Sequence, residues 1–448
     1  MNLTEIAKQA YVYGFSLVFN VDEIVRHVTQ GVGANKAAPY NRFSHAESLA
    51  GPEDTFVTIN NDTVYSMAQL DLSGGPVYFE VPKTGNRYFV FQCIDAWTNN
   101  FAYVGTRSIG NGGGKFIFLP PGSEEIESTD AQVIHCPTTM VSILGRWACE
   151  GEADLPEVLA LQKATKLFAM EGNTGLKNSL NLEKVSEPLL FWEKLRVYLQ
   201  NFPDGRIFQT IQKDIARLGL LEESSPFINP AAELLEALIA GQKEGQAFLK
   251  DYLLHGDIDT QNGWQLAYKV FNYNTEFFEL GTVKSSEWVM PTKTVAEVKA
   301  VYIQRSAAAL GGLWGNHGYE ACYAPVYVDS NGDFLTGEHT YQITLQPEPP
   351  VEAFWSITMY DVPNYYLVAN EIDRYSIGDR TKGLIYQADG ALTLTISATP
   401  PSSAEERANW LPAPEGQFRP ILRMYLPTDE ITTQQYVIPP LVKIEQSR

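Results

Sequence analysis

The sequence is short of cysteine, of positive charge and of long apolar runs, and each shortage removes a class of protein. Four cysteines (Cys93, Cys136, Cys149 and Cys322) are spread over 448 residues without a CxxC pair. A chain this long can bury a sizeable core without cross-links, so free, mostly buried thiols in a reducing compartment are expected. Lysine and arginine number 33 against 53 aspartates and glutamates, a formal charge of −20. Such a field repels phosphate backbones and anionic lipid, which argues against nucleic acid and acidic membranes as partners. The apolar stretch from Tyr11 to Val21 has Glu5 and Lys8 before it and Asp22 and Glu23 after it. It lacks the basic start and the small-residue cleavage site of a signal peptide. No segment approaches the roughly 20 apolar residues of a membrane span. A cytoplasmic protein is the expectation, or a periplasmic one if a leader has been trimmed.

Cofactor motifs are scarce as well. His27, His45, His135, His255, His317 and His339 form no HxH or HExxH pattern, so no metal site is expected. Gly110-Asn111-Gly112-Gly113-Gly114-Lys115 is followed by Phe116 and has the wrong spacing for a phosphate loop, so it reads as a hairpin turn. Asp329-Ser330-Asn331-Gly332-Asp333 alternates oxygen ligands, but it lacks the later Gly and the distal Glu of a calcium loop. No GxSxG elbow is present. Neither a metal nor an obligatory organic cofactor is expected.

What is present is pattern. A hydrophobic content of 44% with 19% charged residues is that of a folded protein, and the length calls for more than one domain. Asn2 with Glu5 makes a capping box, and Ile6, Ala10, Tyr13, Leu17 and Ile24 recur at helical spacing. Residues 1–29 therefore read as an opening helix with Ile6, Tyr13 and Leu17 buried. Over 30–150 the pattern turns to short strands (Thr55–Ile59, Val64–Leu72, Val77–Val81, Arg87–Asp95, Ala102–Gly105, Lys115–Leu119 and Met140–Trp147), which predicts a β-sandwich. Residues 151–319 carry helical periodicity, interrupted at Asn262-Gly263-Trp264 and Met290-Pro291-Thr292. Strands return over 320–430, including one over Leu384–Gln387, and predict a second sandwich or jelly roll. Residues 431–448 remain as a tail.

Two polar-aromatic blocks lie at strand ends, where loops carry binding groups on a rigid frame. The first is Asn60-Asn61-Asp62-Thr63-Val64-Tyr65-Ser66 with Asp95-Ala96-Trp97-Thr98-Asn99-Asn100-Phe101. The second is Asn370-Glu371-Ile372-Asp373-Arg374-Tyr375-Ser376-Ile377-Gly378-Asp379-Arg380-Thr381 with Asn409-Trp410-Leu411-Pro412-Ala413-Pro414. If they form one site across the domain boundary, Asp62 can accept a proton and Tyr65 or Tyr375 can donate one. Arg374 would then hold an anionic group, with Trp97 as an apolar wall and Asn61, Asn99 and Ser376 as substrate contacts. The alternative is that each block ties the turns of its own domain.

The blocks, together with Val104-Gly105-Thr106-Arg107 and Phe354-Trp355-Ser356-Ile357-Thr358-Met359-Tyr360, resemble bacterial proteins that join the domain of unknown function 1254 to the domain of unknown function 1214. The likeness spans nearly the whole chain. It implies an immunoglobulin-like N-terminal sandwich, a helical middle and a C-terminal jelly roll, and it carries no catalytic residues with it. Many relatives look secreted or periplasmic, whereas this chain begins directly at the opening helix. Two functions stand open. One is an enzyme acting on a polar or aromatic small molecule by acid-base and anion-stabilising residues, at a cleft between the β domains. The other is a small-molecule or glycan-binding or structural protein without catalysis. A small-molecule ligand is the expected partner, and a homo-oligomer is compatible with either.

Overall fold

The chain opens on helix α1 (Leu3–Gln30). Asn2 Oδ1 accepts the Glu5 amide at 2.8 Å, satisfying one of the free donors of the first turn. Gly31 ends the helix at φ 88°, where its N–H donates to the Arg26 and His27 carbonyls. Ile6, Tyr13 and Leu17 are fully buried. Helices α2 (Thr106–Ile109), α3 (Leu155–Ala164), α4 (Leu190–Asn201), α5 (Gly205–Ala216), α6 (Ala232–His255) and α7 (Val295–Gly312) follow. α1, α4, α5, α6 and α7 pack on one another, and α6 approaches α1 closely because a Cβ at Gly241 would come within 2.4 Å of the Ala7 Cβ. This computed structural model describes residues 1–54, 57–169, 180–203, 205–256, 258–274 and 295–444. It is mostly β with a helical middle. No helix among the described residues is long and apolar enough to cross a membrane.

The N-terminal strands are β1 (Phe43–His45), β2 (Thr63–Asp71), β3 (Val77–Val81), β4 (Phe89–Asp95), β5 (Asn100–Gly105), β6 (Gly114–Leu119), β7 (Gln132–His135), β8 (Met140–Ala148) and β9 (Lys166–Ala169). They form a five-stranded sheet in the order β1-β2-β8-β4-β5 and a four-stranded sheet in the order β7-β6-β3-β9. One face of the larger sheet (Val64, Phe91, Ile143 and Trp147 among others) packs on the smaller sheet. Its opposite face is also covered, so β4, β5 and β8 are buried along their whole length rather than in alternation.

A short hairpin of β10 (Thr260–Gln261) and β11 (Trp264–Gln265) leads into the C-terminal sandwich. Its strands are β12 (Ala321–Pro325), β13 (Thr340–Leu345), β14 (Val351–Thr358), β15 (Ser376–Gly378), β16 (Leu392–Ser397), β17 (Trp410–Pro412), β18 (Ile421–Pro427) and β19 (Val442–Ile444). Two four-stranded sheets, β12-β18-β14-β15 and β17-β16-β13-β19, enclose a core that includes Trp355, Ile357, Leu422 and Met424. Helices α8 (Ala404–Ala408) and α9 (Asp429–Thr432) complete the chain.

Several elements differ from the sequence pattern. β9 lies in the stretch read as helical, yet Lys166–Ala169 pairs with β3 and closes the edge of the smaller sheet. Of the expected C-terminal tail, residues 431–444 belong to the second sandwich, where Ile431, Ile438 and Leu441 are buried and β19 pairs with β13. Leu384–Gln387 runs as a loop outside any ladder. Of the expected strand Thr55–Ile59, residues 55 and 56 lie outside the described residues and the rest is turn and coil, and the break at Met290-Pro291-Thr292 also lies outside them. All four cysteines are free and buried.

Candidate functional site at the boundary between the sandwiches

β18 reads Ile421-Leu422-Arg423-Met424-Tyr425-Leu426-Pro427, with one charge inside an apolar run. The two-residue period sends Leu422 and Met424 into the C-terminal core and Arg423 and Tyr425 to the opposite face. Antiparallel register sets Arg423 opposite Ser356 and Tyr323, and Tyr425 opposite Phe354 and Ala321. This face packs against the N-terminal domain, where Tyr88, Val90, Tyr103 and Ala148 meet Ala321, Phe354 and Tyr425. Buried polar groups need partners, and here they find them across the boundary. Asp62, just before β2, accepts from Ser356 Oγ at 2.7 Å and from the Tyr425 hydroxyl at 3.2 Å. Asn60 Nδ2 donates to the same hydroxyl at 2.7 Å. Arg423 donates to Thr358 Oγ1 at 2.9 Å, to the Tyr360 hydroxyl at 2.7 Å and to the Thr58 carbonyl at 2.9 Å.

A second buried charge comes from β8, whose run Met140–Ala148 contains Arg146. Its guanidinium donates to Gln92 Oε1 at 2.6 Å, to the Trp314 carbonyl at 3.0 Å and to Asn316 Oδ1 at 3.4 Å, and it lies 5.3 Å from the Tyr65 ring centre. Glu320, one residue before β12, is 1% exposed and accepts the Tyr88 hydroxyl at 2.5 Å. Burial pushes its carboxyl up to about 7, and the Tyr88 hydrogen bond with the charges of Arg107 and Arg146 offsets only part of the rise. Burial first, then the neighbouring Glu320, drives the Tyr88 phenol well above its ordinary value.

Tyr88 also lines a cleft of about 860 Å³ between the sandwiches, a volume within the range of small-molecule sites. Lys83, Arg87, Asp154 and Glu157 contribute from the N-terminal side, and Glu352, Phe354 and Arg380 from the C-terminal side. Arg87 is held by Asp154 through two bonds of 2.5 Å and by Glu157 at 3.2 Å. The Arg380 guanidinium lies over Phe354, its central carbon 3.4 Å from the ring centre, and donates from Nη2 to the Asp62 carbonyl at 3.1 Å.

The structure brings part of the two sequence blocks together. Asn61 Oδ1 accepts from Ser376 Oγ at 3.3 Å across the boundary, Asp62 bridges to the C-terminal sheet, and Tyr65 sits beside Arg146. The remaining residues point elsewhere. Arg374 donates to the carbonyls of Arg407, Ala408 and Trp410 within its own domain. The Tyr375 hydroxyl donates to Asp373 at 3.0 Å. Trp97 Nε1 donates to the Phe202 carbonyl, and Asn99 holds Asp95. Asp62 adjoins the Ala148 end of β8, whereas Asp95 lies opposite Val141, so about 23 Å of strand separates them at ~3.3 Å per residue. Trp97 and Asn99 therefore belong to the helical contact, not to the cleft. Among the described residues, no three His, Cys, Asp or Glu side chains gather as a metal site would require.

Tyr88, Glu320, Arg146 and Arg423 were not candidates from the sequence. For the two arginines a signal existed, since a lone charge inside a fully apolar strand must be buried with partners. Glu320 follows Gly318-Tyr319 at a strand entrance and carries no comparable mark.

With the geometry in view, the comparisons can be set beside it. The family described as protein of unknown function DUF1254 matches residues 40–168, and the one described as protein of unknown function DUF1214 matches residues 320–429. The chain pairs a DUF1254 domain with a DUF1214 domain. The Tyr88–Glu320 bond thus joins the two, with Glu320 at the first matched residue of the DUF1214 domain. The crystal structure of the VPA0106 protein from Vibrio parahaemolyticus is similar over 99% of this chain and 100% of its own, with a TM-score of 0.73 and 23% identity. That likeness is one of fold. A putative uncharacterized protein from Burkholderia cenocepacia aligns over 99% of this chain and 94% of its own, with a TM-score of 0.46 and 11% identity. No curated protein matches the chain.

Proposed function

We propose that the DUF1254–DUF1214 cleft is the working site of an enzyme that moves a proton on a polar small molecule, without an obligatory organic cofactor. The observation that carries this reading is Glu320, a fully buried carboxyl held at about 7 and hydrogen-bonded to the hydroxyl of Tyr88, a residue of the cleft wall. General acid-base groups work best when their affinity for a proton lies near the working pH. As a base, the Glu320 carboxylate takes the Tyr88 phenol proton while the phenol oxygen takes one from the bound molecule. As an acid, the pair runs in reverse. Arg380 supplies positive charge from the C-terminal side of the cleft. The C-terminal sandwich, with its two four-stranded sheets, suits a jelly roll, and four buried thiols suit a cytoplasmic setting.

A ligand-binding or structural role without catalysis is favoured by one feature. Tyr88 is 6% exposed and packs edge-on against Phe354 and Tyr425, as a locking residue would. Turnover separates the two readings. A panel of small polar and aromatic molecules is followed by NMR for chemical change with the whole protein, Glu320→Gln and Tyr88→Phe. Enzyme action predicts that a substrate lost to wild type is turned over about 100-fold more slowly by either variant, the lower end of what one acid-base group contributes. Equal rates in all three proteins would remove the pair from the chemistry.

A further inference from the structure

The smaller N-terminal sheet has one face in the sandwich core and one turned to solvent. Alternation along its strands sends Phe79, Phe116 and Leu167 inward and puts Tyr78, Glu80, Lys115, Ile117 and Phe168 on the opposite face. Register sets Tyr78 beside Ile117 of β6 on one side and Phe168 of β9 on the other. Tyr78 and Phe168 are 39% and 51% exposed, and neither ring contacts another aromatic ring among the described residues. Together with Ser128, Asp130 and Ala131, from the segment before β7, they line a recess of about 310 Å³. The recess shares no lining residue with the boundary cleft.

Exposed apolar rings gathered in one recess mark a contact surface, and the polar groups around them narrow its chemistry. Lys115 Nζ donates to Asp130 Oδ2 at 3.1 Å and Ser128 Oγ to Asp130 Oδ1 at 3.2 Å, so that pair of charges cancels locally. Glu80 lies opposite Lys115 and Lys166 in register but forms no hydrogen bond or ion pair among the described residues. An apolar ligand laid over it would bury a carboxylate without a donor, which is unfavourable. An anionic ligand would meet Glu80 and the exposed Glu124, Glu125 and Glu127 of the neighbouring segment. A cationic one would meet Lys115 and Lys166. A peptide strand finds no free backbone, because β3 and β6, which floor the recess, are interior strands bonded on both sides. What fits is an uncharged ring with an apolar face and hydroxyl donors at its edge. We infer that this recess binds a neutral saccharide, whose C–H face stacks on Tyr78 and Phe168 while its hydroxyls donate to Glu80. The volume lies at the lower end of small-molecule sites, which suits one or two sugar rings.

The full-length protein, fluorescently labelled, is applied to an array of neutral and acidic glycans, and each glycan retained is titrated free in solution by calorimetry. At least one neutral glycan should be retained. Tyr78→Ala and Phe168→Ala should each weaken it about tenfold through the lost ring contact. Glu80→Gln, which keeps the shape but loses the charged acceptor, should weaken it as well. Both rings stand in solvent, so their removal should leave the melting temperature and turnover at the boundary cleft unchanged. Retention of no neutral glycan, preference for acidic glycans, or unchanged affinity in all three variants would each overturn the inference. So would self-association of wild type in sedimentation that Tyr78→Ala and Phe168→Ala abolish, since the recess would then be a contact between copies of the chain. The proton-transfer reading fails separately, through Glu320→Gln and Tyr88→Phe in the turnover assay.

Discussion

The outer face of the five-stranded sheet is covered in two ways. At its Asp95 end, Met67, Ile94 and Leu144 pack on the helical layer with Tyr13 and Leu17, and Arg305 lies over the Trp97 ring. At its Asp62 end, the cover is the C-terminal sandwich, and the contact contains Asp62, Arg146, Glu320 and Arg423, all buried. Burying charge is unfavourable unless every group is partnered, whereas apolar burial needs only shape. The first contact is mainly apolar packing around two buried charges, Asp95 and Arg305. The second is either an exacting tie between domains or a site whose chemistry requires such groups, and the cleft opens beside it.

The comparison is sharpened most by substitutions that conserve shape. Arg423→Met keeps most of the side-chain volume yet leaves the Thr58 carbonyl, the Thr358 and Tyr360 hydroxyls and the Asp62 charge without their cation. A loss of about 3–5 kcal/mol in chemical denaturation is expected, as for a broken buried charge contact. Leu144→Met at the helical end should cost less than about 1.5 kcal/mol. Equal losses would erase the distinction between the two contacts.

A smaller effect is expected at Arg374, whose three carbonyl acceptors lie at the end of α8 and the start of β17. Arg374→Ala should lower stability by about 1–3 kcal/mol through acceptors left unpaired, with turnover at the cleft unchanged. Lost turnover with an unchanged melting temperature would return Arg374 to the ligand site.

The sequence made the longer strands legible and the short ones not. β2, β3, β6 and β8 are runs rich in β-branched and aromatic residues, bounded by turn residues such as Ser73-Gly74-Gly75-Pro76. β1, β7, β9, β15, β17 and β19 have three or four residues each, and their strand character comes from the partner they join rather than from their own composition. The site divides in the same manner. Asn61, Asp62 and Ser376 lie in dense polar blocks that do meet across the boundary. Arg374 lies in the same blocks but turns inward, because nearby carbonyls of its own domain are free to receive it. Glu320 and Tyr88 become partners only when two distant strands are packed face to face, and local sequence holds no trace of that.

The central claim is that Glu320 is held neutral by the boundary until near pH 7, and stability against pH tests it directly. The native carboxyl titrates at about 7 against an ordinary 4.5. Below 4.5 both folded and unfolded chains are protonated, and the residue brings no penalty. As pH rises from 4.5 to 7 the unfolded chain loses the proton first, so stability falls. Above 7 the loss is complete, about 3 kcal/mol at 1.36 kcal/mol per pKa unit. His27 and His45, both lowered to about 4 chiefly by burial, slope the other way, since their contribution is lost as pH falls from 6.5 towards 4. They act equally on wild type and on Glu320→Gln, which cannot ionise, so the difference between the two proteins isolates Glu320. Denaturant unfolding of both at pH 4.5, 5.5, 6.5 and 7.5 should show Glu320→Gln gaining on wild type through this window by about 3 kcal/mol in all. A difference that stays flat across the four pH values would mean that Glu320 ionises as an ordinary carboxyl, and would contradict the account.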